Sequence, residues 1–157
     1  MAIKVIEPKE LGKPAGMYSH GMLASDGELL VVAGQTGADA TGRVAGPDIA
    51  SQTRQSLESI RAVVTAAGCS MRDIIRFQTF LTRAEDIDAF RKARSEAYRL
   101  YFGNGPYPPN TLLVISRLAA PDYLVEIEAL AWKRAKPVAA PKAKVAARKA
   151  KPARKRR

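Results

Sequence analysis

The chain has 157 residues, with 26 Lys and Arg against 15 Asp and Glu and a net charge of +11, a length that suits one domain with a single core rather than two. One cysteine, Cys69, and one histidine, His20, exclude an internal disulfide and a Cys/His structural zinc site. No apolar run approaches the length of about 20 residues that a membrane span needs. The expectation is a cytoplasmic protein without a membrane partner.

The charge is unevenly placed. From Lys133 to Arg157 there are 12 Lys and Arg and no acid, which leaves residues 1–132 at a net charge of −1. The basic balance therefore belongs to the end of the chain and not to the body.

In chain order, AIKVI near the start predicts a short edge strand, followed by a loop punctuated by Pro and Gly through Gly16. MYSHGML alternates weakly, and Ser25-Asp26-Gly27 marks a turn into ELLVVAG, so a β-hairpin is expected across Asp26-Gly27. Gly34-Gln35-Thr36-Gly37 closes that strand. It lacks the lysine and spacing of a phosphate loop and reads as a turn or a ligand-adjacent strand end.

A loop with Gly42, Gly46 and Pro47 follows. Asp48 is then a candidate N-cap for a helix whose Ile49, Thr53, Leu57, Ile60, Val64 and Ala67 recur at helical spacing up to Gly68. DIIRFQTFLT, residues 73–82, has the β-branched and aromatic content of a central strand. Thr82-Arg83-Ala84-Glu85 has the form of a capping box. It precedes a second amphipathic face of Ile87, Phe90, Ala93, Ala97 and Leu100 or Tyr101, ended by Gly103-Asn104-Gly105-Pro106.

The closing stretch YPPNTLLVISRLAAPDYLVEIEALA, residues 107–131, reads as turn, strand, loop, strand. Alternation puts Glu126 and Glu128 on one face of the last strand and Val125, Ile127 and Ala129 on the other. Leu112, Val114 and Leu124 are expected on a face away from the helices. An apolar sheet face left open in a small domain favours a homo-oligomer with pockets where subunits meet.

Residues 133–157 contain only Lys, Arg, Ala, Pro and Val, too little apolar surface to fold alone, and are expected to form a disordered tail behind a folded domain at 1–132. Such charge favours polyanions through counterion release, so Lys149, Lys151, Arg154, Lys155, Arg156 and Arg157 are candidate non-specific nucleic-acid contacts. The absence of interleaved aromatics argues against base stacking.

Residues 3–132 resemble the RidA (YjgF-type) family. GMYSHG at 16–21, AGQTG at 33–37, the helix QTRQSLESIRAVVTAAG, the strand DIIRFQTFLT, and YPP, SRL and VEIEALA follow the family's motifs in order. The resemblance implies an α+β, chorismate-mutase-like fold: a six-stranded mixed sheet with two helices on one face, in a barrel-like homotrimer with small-molecule pockets between subunits. It also implies hydrolysis of reactive imines and enamines, typically 2-aminoacrylate and related 2-imino acids, to 2-keto acids and ammonia, with no metal and no cofactor. On this resemblance Glu126 orients and activates the water, Tyr18 lines the pocket and donates a hydrogen bond, and Gly34 brings backbone to the ligand.

Asn110 stands where active members of the family carry a bidentate arginine, and Leu112 where many carry a cysteine. A neutral amide cannot make a guanidinium's paired bonds to a carboxylate, a loss of about 2–5 kcal/mol. The expectation is therefore a ligand bearing an amide, hydroxyl or carbonyl at Asn110, in place of a 2-imino acid. By strand alternation His20 is expected on the face of Tyr18, within reach of the pocket. Arg117 is a rival partner that would hold Glu126 in a structural ion pair. The alternative from another class is a non-catalytic protein that binds a small ligand or associates with nucleic acid through the tail.

Overall fold

The structure, a computed structural model, describes residues 3–135. Six strands and two helices follow in the order β1 (Ile3–Ile6), β2 (Gly21–Ala24), β3 (Gly27–Thr36), α1 (Ile49–Ala66), β4 (Ile74–Leu81), α2 (Ile87–Phe102), β5 (Asn110–Val114) and β6 (Val125–Arg134). The α+β class and the two-helix arrangement agree with expectation. The six strands are divided, however, into a four-stranded sheet of order β3-β6-β4-β5 and a two-stranded sheet β1-β2.

That division corrects the expected hairpin across Asp26-Gly27. Asp26 takes a positive φ of 56° while Gly27 does not, so the corner lacks the paired left-handed residues of a type I′ turn. β2 pairs with β1, and β3 leaves the corner to pair antiparallel with β6 from Gly27↔Arg134 onward. Trp132 Nε1 donates to Ser25 O at 2.9 Å and Ala135 N to Asp26 O at 3.1 Å, tying the corner to the end of β6. The strand thus runs through Lys133 and Arg134, two residues past the boundary drawn from composition.

Both helices cover one face of the larger sheet. Asp48 caps α1, its Oδ1 accepting from Ser51 N at 2.9 Å, and Leu57, Ile60 and Val64 are fully buried. On α2, Phe90, Tyr98 and Phe102 point inward. Tyr98 stacks on Phe77 of β4 at 5.6 Å, and Phe102 meets Phe77 edge-on at 6.4 Å. α2 is also the crossover that a parallel β4–β5 pair requires. A 3-10 turn, Ala84–Asp86, precedes α2, and no side chain caps the helix start, so the expected capping box at Thr82 does not form. Leu100 is exposed and Tyr101 takes the inward position.

The register fixes which side chains share a face. Val125, Ile127, Ala129 and Ala131 of β6 are buried under the helices with Phe77 and Thr79 of β4. Asn110 pairs with Phe77 and Leu112 with Thr79, so both lie on the helix-covered face. Leu112 packs on the core and Leu124 is buried, against expectation. Val114, Leu113, Leu29 and Val31 are exposed, the last two at 54% and 66%.

Candidate functional site

Glu126 sits on the face of β6 turned away from the helices, in register with Phe80 of β4 and Thr36 of β3. A bulge between Val32 and Gln35 disrupts the β3–β6 ladder and brings the backbone of Gly34 against its carboxyl group. A Cβ at Gly34 would fall 2.6 Å from Cδ and 2.8 Å from Cγ of Glu126, inside any real contact distance. Only glycine lets the strand close on this carboxylate. Among the described residues Glu126 makes no ion pair, and the rival partner Arg117 is exposed, its Nε donating to Leu118 O at 3.3 Å. Beside this place lies a hollow of about 140 Å³ walled by Val31, Ala33, Arg76, Gln78 and Glu128, where the Arg76 guanidinium donates to Gln78 Oε1.

Tyr18, Asn110 and Leu112 line a different space, a cleft of about 560 Å³ closed by Arg91, Arg94 and Ser95 of α2. Tyr18 belongs to a loop and not to a strand. The loop is fixed by buried Ser19, whose hydroxyl donates to Tyr107 O at 2.6 Å. Asn110 opens β5, and its Oδ1 accepts from the Thr79 hydroxyl at 3.0 Å. That bond orients the amide and leaves Nδ2 free to donate. Arg94 lies over the rings of Phe90 and Tyr98, at 5.5 and 5.2 Å. Burial pushes the Tyr98 phenol well above its ordinary range, although the Arg94 charge pulls the other way.

The residues singled out in the sequence therefore form two groups: Tyr18, Asn110 and Leu112 on the helix side, Glu126 and Gly34 on the open side. His20 is beside Tyr18, with ring centroids 6.2 Å apart and edge-on, but it does not form the cleft wall; its Nε2 is 3.0 Å from Gly12 O. Arg91, Arg94 and Ser95 were not singled out. The available signal was their place on α2, flanking the apolar stripe of Phe90 and Tyr98. Cys69 is half-buried, its thiol pushed up by burial and by nearby Asp73. No group of three or more His, Cys, Asp or Glu among the described residues could hold a metal ion, and no described helix is long and apolar enough to cross a membrane. Lys149, Lys151, Arg154, Lys155, Arg156 and Arg157 lie outside the described residues.

The model of the family described as Endoribonuclease L-PSP matches residues 9–133. A RutC family protein of Pyrococcus horikoshii is 40% identical over 131 residues, covering 83% of this chain and 98% of that protein. A protein of Salmonella typhimurium named 2-iminobutanoate/2-iminopropanoate deaminase is 32% identical over 134 residues, covering 83% and 98%. Among solved structures, the Rid-family protein YyfB of Yersinia pestis superposes with a TM-score of 0.75 at 27% identity, over 84% of this chain and 99% of that one. Escherichia coli TdcF with bound serine superposes with a TM-score of 0.62 at 30% identity, over 83% and 98%.

Proposed function

The chain belongs to the Endoribonuclease L-PSP family, the YjgF/RidA group, and from that premise we propose that it hydrolyses an imine- or enamine-type metabolite in a pocket completed by a second copy of the chain. The observation that carries this reading is the carboxylate of Glu126, without an ion pair among the described residues and held against the backbone of Gly34. Relatives named deaminases and a relative holding serine support an activity on small amino-acid-like molecules.

Hydrolysis of an imine needs a water positioned at the imine carbon and a group that takes its proton. Glu126 accepts that proton as the water oxygen bonds to the carbon of the protonated imine and the C=N electron pair moves to nitrogen, which gives a neutral carbinolamine. The carboxylic acid then returns its proton to the amino group, the C–N bond breaks and ammonia leaves. Loss of the hydroxyl proton completes the carbonyl. An enamine first becomes the imine by protonation at carbon. Tyr18 and Asn110 supply hydrogen-bond donors that orient the ligand.

Within one chain Glu126 and Asn110 lie on opposite faces of the sheet, so a single pocket that uses both draws them from different copies. Exposed Leu29, Val31 and Leu113 on the open face give such copies an apolar surface to share. A homotrimer, the assembly characteristic of the family, meets this requirement with three equivalent interfaces.

The test follows imine loss after an amino-acid oxidase generates 2-imino acids, with wild type and Glu126→Gln. Turnover that falls about a hundredfold or more in Glu126→Gln supports the reading, since general-base catalysis contributes about 10²–10⁴-fold. Unchanged turnover sinks it. The second reading, polyanion binding without catalysis, rests on the 12 basic residues from Lys133 onward. Removing residues after Ala135 keeps β6 whole and separates the two: an enzyme keeps its turnover, while a tail-dependent binder loses salt-sensitive affinity.

A further inference from the structure

Asn110 suggested a neutral ligand because it stands where a guanidinium was expected. The structure offers a guanidinium from another element. Arg94 of α2 opens onto the same cleft as Tyr18, Asn110 and Leu112. Its platform, Phe90 and Tyr98, is 0% and 1% exposed, so the guanidinium is supported by side chains that have no room to move. Stacking of this kind holds the cation over the rings, but it supplies no hydrogen-bond acceptor.

The acceptors are missing. Arg94 Nε is buried without a partner, and no carboxylate among the described residues pairs with this guanidinium. A half-buried cation without acceptors is costly, and the cost is removed when an anion enters. Arg91 differs, because Asp88 lies 3.7 Å from it and both side chains are exposed. Two other side chains of the cleft can donate. Asn110 presents Nδ2, its Oδ1 accepting from Thr79, and the Tyr18 hydroxyl has a proton to give; the Ser95 proton goes to Arg91 O at 2.7 Å, so Ser95 offers the cleft only lone pairs. No carboxylate lines the cleft. Two donors beside a guanidinium that has no carboxylate partner among the described residues favour a ligand with oxygen acceptors and negative charge.

We propose that Arg94 anchors an anion in this cleft and that the ligand bears a carboxylate, held from α2 in place of β5. Of the two guanidiniums that line the cleft, only Arg94 lacks a carboxylate partner among the described residues, which suits a single negative charge, and its planar fork pairs with a carboxylate through two parallel hydrogen bonds. The proposal rests on the imine/enamine reading for the nature of the cleft and reverses the expectation of a neutral ligand.

Calorimetric titration of the full-length protein with 2-oxobutanoate and with neutral 2-oxobutanamide tests it, in wild type, Arg94→Gln, Arg94→Lys and Arg91→Gln. Wild type should bind the acid more tightly than the amide. Arg94→Gln should weaken the acid roughly tenfold or more, from the usual range for hydrogen bonds to charged groups, and leave the amide unchanged, while Arg91→Gln has a smaller effect on the acid than Arg94→Gln. Equal affinity of wild type and Arg94→Gln for 2-oxobutanoate, preference of wild type for the amide, or binding of neither compound overturns the proposal.

Thermal melting reports whether Arg94→Gln folds. If it does not, Arg94→Lys decides, because lysine keeps the charge and loses the fork: weaker binding of the acid alone supports the anchor, and unchanged binding overturns it. Binding is read without turnover, so the two ideas fail separately. Loss of activity in Glu126→Gln with no effect of Arg94→Gln on binding removes the anchor and keeps the hydrolase. Full activity in Glu126→Gln with weakened binding in Arg94→Gln does the reverse.

Discussion

Gly34 and Glu126 meet across the β3–β6 pair so closely that one methyl group at residue 34 would lie 2.6 Å from Cδ of the carboxyl group. Alanine there must displace either the side chain or the backbone of the bulge. Gly34→Ala should therefore reduce imine turnover about tenfold or more, since small misplacements of a reacting group are costly. The control is Gly21→Ala, whose added Cβ would meet Ile6 Cβ at an ordinary 3.6 Å and should leave activity and melting temperature close to wild type. Equal effects from both substitutions would show that the contact with Glu126 does not matter.

The open sheet face makes a prediction about assembly. Val31 is 66% exposed on β3, the edge strand of its sheet, near Leu29 at 54%. A charge in an apolar interface must be desolvated without a partner, so Val31→Glu should lower the mass seen in sedimentation to that of one chain. It should remove turnover in parallel while the far-ultraviolet spectrum stays unchanged. Wild type sedimenting as a monomer at micromolar concentration would refute self-association.

Gln52 holds two loops to the start of α1. Its Nε2 donates to Gly46 O at 3.0 Å and to Asp122 O at 2.9 Å, and its Oε1 accepts from Leu124 N at 2.9 Å. The residue is 1% exposed. Gln52→Ala strands a buried N–H and two carbonyls and should cost about 3 kcal/mol, one stranded group accounting for about 1–3. Gln52→Leu, closer in volume, should cost a similar amount because the bonds and not the packing are lost. Urea denaturation measures both, and a loss well under 1 kcal/mol would mean that water replaces the amide.

Stability should fall in acid partly through Asp48. The backbone N–H and hydroxyl of Ser51 bond its carboxylate and hold it below its ordinary value of 3.8. Because the folded value is the lower one, the stabilisation is fully present above 3.8 and is lost as pH falls through the folded value. Asp48→Asn keeps a capping oxygen but cannot titrate. Its melting temperature should decline less than that of wild type between pH 5 and pH 2, and identical slopes would remove Asp48 from the acid transition.

Much of the fold was legible because it is written in short-range pattern. The spacing of Ile49, Leu57, Ile60 and Val64 and the cap at Asp48 located α1, and the alternation around Glu126 located β6. The turn at Asp26-Gly27 misled because Asp-Gly reports a permissive backbone and not which strand comes next in the sheet. That choice was made by the far end of the chain, where Trp132 and Ala135 bond to Ser25 and Asp26.

The exposure of Leu112 and Leu124 also turned on distant partners, Thr79 in register and Gln52 by hydrogen bond. Arg94 was invisible for a related reason. On a helical wheel it is one more surface cation, and only the packing of α2 beside the loop of Tyr18 makes it part of a cleft.

If one pocket takes Asn110 and Glu126 from two copies of the chain, damage to one side of it can be repaired by a neighbour. Arg94→Gln and Glu126→Gln proteins, each impaired alone, should recover activity when unfolded together and refolded as mixed assemblies. In a ring where each pocket takes one side from each of two adjoining copies, equal mixing leaves about one pocket in four with both sides intact. Genetic complementation between two alleles of one gene would then be the signature of a site that no single polypeptide possesses.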